Sequence, residues 1–308
     1  MKAIMYHYVR KFEKNFPNFR FLHVDDFKKQ LNFFEKEYGF VSKEEWHSYI
    51  KGNGMGSGKG KVILTFDDGL NCHYDYVYPE LVKRNLWGIF YVATRSLIDF
   101  KLINTHKIHL LCGAFEGKKL LNCLTKLLTD EMILDSKRKE FKNNTYTKQK
   151  NYAGVTEFKR ILNYFVSSKY IEPLIDGISS QLNYTINGDN FYITLENLIK
   201  MKQNDMLIGS HTVDHDLMSR LTSDEQSAQI SQSFKILEKV ISNTHKTYCH
   251  PYGGFHSFDE NTINLLSMAN VAYSFNVESR DIEEDDIIKS RHSLPRFDCN
   301  EFSHGQAT

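Results

Sequence analysis

Val62-Ile63-Leu64-Thr65-Phe66-Asp67-Asp68-Gly69 reads as a short apolar strand that runs into two adjacent acids and a turn. An Asp-Gly pair after a strand is an ordinary turn signal, which accounts for Asp68-Gly69 and leaves the doubled carboxylate unexplained. Far along the chain, Ser210-His211-Thr212-Val213-Asp214-His215 places two histidines four residues apart, again directly after an apolar run. Two acids and two histidines at strand ends are what a catalytic zinc-type site needs. Such a site takes three protein ligands, keeps one position open, and holds a spare carboxylate nearby for protons. Either segment alone is weak, and the pair is a strong signal.

Outward from these segments, short apolar runs alternate with helical patterns, which predicts βα units and a mostly parallel sheet. Strands are expected at 3–9, 62–66, 88–93, 206–210, 247–250 and 271–277, with helices at 24–38, 74–85, 224–241 and 258–270. Capping-box spacing marks two helix starts, Thr222-Ser223-Asp224-Glu225 and Ser257-Phe258-Asp259-Glu260. The motifs thus fall at C-terminal strand ends, where barrel-like α/β enzymes carry their chemistry.

Residues 97–190 interrupt this rhythm. Leu120, Leu121, Leu124, Leu127 and Leu128, then Phe158, Ile161, Leu162 and Phe165, form apolar helical stripes around a basic stretch at 137–150. The segment is expected to be a helical insertion in a single catalytic domain spanning 1–308. The basic stretch reads as a solvated loop or as a contact for an anionic lipid-phosphate or nucleotide-diphosphate carrier. Gly52-Asn53-Gly54-Met55-Gly56-Ser57-Gly58-Lys59-Gly60 lacks the spacing, the hydroxyl residue and the following helix of a phosphate-binding loop, so it reads as a flexible connector.

With 39 basic and 38 acidic residues, the chain lacks the basic excess of a nucleic-acid binder. Five cysteines without Cys-x-x-Cys spacing suggest free thiols. The N-terminal apolar stretch is too short for a signal peptide, and no window reaches the length of a membrane span. A soluble, cytoplasmic protein is expected.

At four-residue spacing, the rings of His211 and His215 would point the same way on a first helical turn, with Asp214 facing elsewhere. Asp67 and Asp68 would project to opposite sides of an extended strand end, which suits a division of labour without saying which acid does what.

Together with the later Pro251-Tyr252-Gly253, these segments resemble, in order and spacing, the motifs of polysaccharide deacetylases of the NodB-homology, carbohydrate esterase 4 type. The resemblance covers 1–95 and 190–300. It implies a distorted (β/α) barrel with fewer than eight strands and an N-deacetylase acting on an N-acetylated sugar, and the basic stretch adds a lipid or nucleotide carrier as the partner to expect. It makes Asp67 the general base, and Asp68, His211 and His215 the ligands of one divalent ion. That ion is zinc by default, although Co, Ni, Fe or Mn would suit the same set. The backbone N–H of Tyr252 would face the oxyanion. Many relatives place an arginine just ahead of Pro-Tyr to orient the base. Here Cys249-His250 stands in that place, and Arg296 is the expected substitute. The acid that protonates the leaving amine is expected to be His7, as in circularly permuted relatives with a Tyr-His strand end, rather than His292. The alternatives are an amidohydrolase on a small non-sugar amide and a catalytically silent glycan-binding relative.

Overall fold

The computed structural model describes residues 1–54, 56–99, 101–133, 154–240 and 245–307. The basic stretch at 137–150 and the expected helix end at Ile241 lie outside the described residues, as does Met55 of the glycine-rich connector. The chain packs as two compact units: Met1–Lys11, Phe21–Lys101 and Asn190–Thr308 form the first, Phe12–Arg20 and Leu102–Asp189 the second.

The first unit is built on a seven-stranded sheet ordered β8-β7-β6-β5-β4-β1-β9. Its strands are β1 (Lys2–Tyr6), β4 (Val62–Phe66), β5 (Ile89–Val92), β6 (Leu207–Ser210), β7 (Thr247–Cys249), β8 (Tyr273–Phe275) and β9 (Phe297–Asp298). Every pairing in it is parallel. The last segment of the chain closes the circle. Leu294 bridges to Phe275 of β8, and three residues later Phe297 pairs with Ile4 of β1. The result is the distorted (β/α) barrel that the resemblance implies.

Alternation along each strand sorts the side chains into two layers. Ala3, Ile63, Ile89, Tyr91, Cys249, Tyr273, Phe275 and Leu294 pack together with Trp46 and Tyr49 of the helix Lys43–Ile50 as the lumen of the barrel. Ile4, Tyr6, Leu64, Phe66, Phe90, Val92, Ile208 and Tyr248 face outward, under helices such as Val24–Glu37, Leu195–Gln203 and Ser223–Ile236. Each fully buried aliphatic or phenylalanine side chain contributes roughly 1.5–3 kcal/mol, so both layers are needed to hold the sheet.

Several elements differ from the sequence reading. The first strand stops at Tyr6; Val9–Arg10 (β2) pairs instead with Leu22–His23 (β3) in a separate two-stranded sheet, which leaves His7 and Tyr8 between the two. The stretch expected as one helix at 74–85 opens with a π turn, His73–Val77, before the α-helix Tyr78–Lys83, because Pro79 cannot donate in a helix interior. The box at Thr222 and Glu225 forms as read. The second helix starts later, at Glu260, with Asp259 as its cap and Thr262 returning the bond.

The second unit is helical. Asn104–Ala114, Gly117–Leu127, Val155–Arg160 and Ser168–Gln181 enclose a core that includes Leu111, Leu120, Leu124, Phe158, Leu162 and Ile175. The apolar stripes therefore do the packing expected of them. Phe12–Arg20 also belongs here, outside the expected 97–190 limits: Asn18 N–H donates to Gly113 O at 2.9 Å, and Phe19 lies against Gly113 so closely that a Cβ there would fall 2.5 Å from its ring. The five cysteines are free thiols. Among the described residues no helix is long and apolar enough to cross a membrane.

Candidate active site

Barrel alternation brings Asp67, His211 and Cys249 to the lumen side at the C-terminal ends of β4, β6 and β7. Asp67 continues β4, its N–H bonded to Tyr6 O at 2.9 Å. Asp68 then turns back with a positive φ of 79°, followed by Gly69 at 68°. The two acids thus separate through a left-handed kink rather than through the extended strand end expected of them. A Cβ on Gly69 would fall 2.9 Å from Val92 Cγ1, so the tight turn needs glycine.

The His211–His215 segment is not a helix. Thr212 and His215 have φ of 67° and 58°, and His215 N–H bonds to Thr212 Oγ1 at 2.9 Å. A helix would compete with the side chains that hold this loop. Gln229 Oε1 accepts from Val213 N–H and Asp214 N–H at 3.0 and 2.9 Å, and Arg95 grips Asp214 through Nε at 2.6 Å and Nη2 at 2.9 Å. The turn still brings the rings together, with centroids 4.7 Å apart. Asp214 faces Arg95, away from them. Left-handed φ at Asp68, Thr212, His215 and Tyr252 costs on the order of 1 kcal/mol each, a concentration of strain found at functional sites.

Asp68 Oδ1 lies 3.5 Å from His211 Nε2 and 3.4 Å from His215 Nε2, and all three residues are buried. The three ligand atoms lie within 4.8 Å of one another. His211 Nδ1 donates to Cys249 O at 2.8 Å, which leaves Nε2 facing Asp68, the nitrogen that an ion would take in place of a proton. Burial opposes a charge on His211, yet Cys249, Asp68 and Asp67 outweigh it and raise its pKa well above the usual imidazole value. Cys249 is itself pushed toward the neutral thiol by burial, so the carboxylates supply the field. The donor set and this pull for positive charge fit a divalent cation.

Asp67, His211 and Cys249 form a second close trio, but a guanidinium already occupies it. Arg296 donates from Nη1 to Asp67 Oδ1 and from Nη2 to Oδ2, both at 2.8 Å, and Nη2 lies 3.0 Å from Cys249 Sγ. Arg296 reaches the lumen because it has the same parity as Leu294 on the closing segment, and its charge lies over Tyr91 and Phe275 at 6.0 and 5.7 Å. Burial would raise the Asp67 pKa; the charge and hydrogen bonds of Arg296 more than offset this and hold it at about 2. Cys249, which also approaches Asp67 Oδ2 at 3.5 Å, escaped the sequence reading; the only hint was its place ahead of Pro251-Tyr252.

The Tyr252 ring stands 5.0 Å from that of His215. Gly253 follows at φ 71°, and a Cβ there would fall 2.2 Å from Val277 Cγ2, so this turn also needs glycine. His7 is half-buried just beyond β1, near enough for its charge to act on Asp67. The His292 ring is buried, with its pKa lowered to about 4 by burial and by Arg291, while its carbonyl accepts from His250 Nε2 and Ser274 Oγ at 2.8 and 2.6 Å.

Residues 168–274 match the polysaccharide deacetylase family model, a span that includes His211, His215 and Pro251-Tyr252-Gly253. That part of the chain is similar to the polysaccharide deacetylase family. Asp67, Asp68, His7 and Arg296 lie outside the matched span. Known structures share the fold. The Streptococcus pyogenes deacetylase PplD, solved with acetate, is 16% identical with a TM-score of 0.58, over 97% of this chain and 91% of that one. A de-N-acetylase from Aggregatibacter actinomycetemcomitans is 14% identical at TM-score 0.51, over 96% and 93%. The BpsB deacetylase domain from Bordetella bronchiseptica is 12% identical at TM-score 0.51, over 96% and 94%. By sequence, no curated protein matches the chain.

Proposed function

We propose that this protein is a metal-dependent carbohydrate N-deacetylase that removes an acetyl group from an amino sugar in a polysaccharide or glycan intermediate. One observation carries the reading: an Asp-His-His donor set stands beside a separate carboxylate that an arginine holds rigidly. Asp68, His211 and His215 would hold the divalent ion, zinc by default. When bound, the ion supplies Lewis acidity toward the acetyl carbonyl and lowers the pKa of water.

Asp67 takes the proton of the attacking water. Its low pKa keeps it ionised at working pH, and the two bonds from Arg296 fix the direction of its free lone pairs. The N–H of Tyr252 faces the carbonyl oxygen as negative charge develops there. His7 gives a proton to the departing nitrogen, since an amine leaves poorly as an anion. Acetate and a free amino sugar result. We assign the sugar's carrier to the lipid or nucleotide class and the reaction to the cytoplasm, on the expectations from sequence.

Acetate release from N-acetylglucosamine oligomers and nucleotide-linked N-acetyl sugars, by metal-stripped and zinc-reloaded protein, tests the reading. Release only after reloading is the expected result. Equal release without metal, or none from any N-acetyl sugar, would overturn it.

A further inference from the structure

A fully buried histidine holds the backbone of His7. His73 is fully buried, with its ring against Phe66 and Phe90 at centroid distances of 5.6 and 6.0 Å. Its Nε2 lies 2.5 Å from the carbonyl oxygen of His7. A carbonyl only accepts, so Nε2 carries the hydrogen and His73 is the neutral Nε2–H tautomer. Burial agrees, lowering its pKa to about 4.

The surrounding backbone explains why this bond matters. Tyr6 O accepts from Asp67 N–H at 2.9 Å, and Tyr8 O accepts from Leu22 N–H at 2.9 Å. The carbonyl between them, at the residue that leaves one sheet before the next begins, is held by a side chain. His73 N–H in turn bonds to Leu70 O at 2.9 Å, at the end of the turn that carries Asp67 and Asp68. The acidic turn and the His7 backbone are thus tied together through one residue, whose backbone N–H holds the turn and whose imidazole holds the His7 carbonyl in a low-dielectric pocket, where a lost hydrogen bond is not replaced by water.

We propose that His73 is the positioning residue of His7, its Nε2–H fixing the His7 carbonyl so that the His7 ring is aimed at the leaving nitrogen. The proposal rests on the reading of His7 as proton donor. Substitution of His73 therefore impairs proton donation while it spares the metal ligands and Asp67.

Three variants of the zinc-loaded full chain test it: His73→Leu keeps the bulk without the donor, His73→Gln places an amide nitrogen near the Nε2 position, and His73→Asn falls short of it. Turnover is measured on an N-acetylglucosamine oligomer and on an aryl acetate, whose leaving group needs no proton, alongside bound zinc and His7→Ala. With His73→Leu, amide turnover falls about ten- to hundredfold, aryl acetate turnover stays within about threefold, and zinc content is unchanged. His73→Gln recovers most of the amide turnover, and adding His73→Leu to His7→Ala lowers it no further. Equal losses on both substrates, or His73→Gln no better than His73→Leu, would overturn the proposal while His7→Ala still shows the amide–ester contrast. If His7→Ala shows no contrast, the reading of His7 fails and the proposal fails with it. If His73→Leu does not fold, the contrast between His73→Gln and His73→Asn decides, and equal amide turnover in those two would overturn it.

Discussion

Asp67 and Arg296 form one buried pair that links the proposed base to the stability of the fold. Both are almost fully buried, and two bonds of 2.8 Å join them. With a folded pKa of about 2 against an ordinary 3.8, Asp67 stabilises the fold by roughly 2 kcal/mol above pH 4. A depressed carboxylate loses that stabilisation as pH falls, here between about 4 and 2. Arg296→Met strands a buried carboxylate and is expected to cost about 3–5 kcal/mol in urea unfolding. In that variant the acidic limb of the pH–rate profile should also move to higher pH, as Asp67 becomes easier to protonate. An unmoved limb would mean that Arg296 does not govern the base. At the metal set, His211→Ala should lose bound zinc and activity together, because two remaining ligands rarely hold a catalytic ion. Full zinc occupancy by elemental analysis would refute the ligand assignment.

At the scale of elements, the loop from His211 to His215 is the informative case. Spacing suggested a helical turn; the chain instead makes a left-handed turn whose amides are met by Gln229 on the helix Ser223–Ile236. Either conformation juxtaposes residues four apart, so the histidine pair was legible while its backbone was not. Gln229→Ala removes the acceptor for two N–H groups and a donor to Asp214. Zinc affinity is expected to fall about 10–100-fold in a chelator competition, with the kcat of the fully loaded enzyme within a few-fold of the parent. Unchanged affinity would show that Arg95 and Asp214 hold the loop by themselves.

Across the whole molecule, burial keeps several histidines neutral. His47, His73 and His292 have pKa values of about 4, and His250 about 3, each lowered first by burial. In the unfolded chain these residues take up protons near pH 6.5, so the unfolded state binds more protons between pH 6.5 and about 4. The stability that these four contribute is therefore complete above pH 6.5 and falls steadily as pH drops through that window. Thermal melts at half-unit steps should show the decline well before Asp67 titrates, and a flat profile from pH 7 to 4.5 would contradict it. The second unit belongs to this scale too. The chain segment that follows it bonds back beside the acids, Ile193 N–H to Gly69 O at 2.9 Å and Asn71 N–H to Phe191 O at 2.8 Å. We expect a folded variant with 102–189 replaced by a short linker to keep zinc binding and to change its profile across polymeric and nucleotide-linked N-acetyl sugars. An identical profile would assign the unit another purpose.

Local pattern was enough for the parallel βα order, the strand that delivers Asp67 and Asp68, the histidine pair and the Thr222 cap, because periodicity and capping act over a few residues. It also marked Leu120, Leu124, Phe158 and Leu162 as one helical core. The partner of Asp67 was expected in Arg296 on the family resemblance, and no local pattern pointed to it. Arg296 and Asp67 lie 229 residues apart, and what joins them is a closing segment that pairs with β8 at one end and β1 at the other. Cys249 under that guanidinium, His73 under the His7 carbonyl and Phe12–Arg20 in the helical unit carry no local signal either. Sequence by itself determined which candidate site chemistry the chain carries, since residue type and short-range spacing specify its acids and histidines. Only the tertiary structure decided how that chemistry is held, because buried charges and carbonyls take their partners from whichever strand the barrel brings alongside.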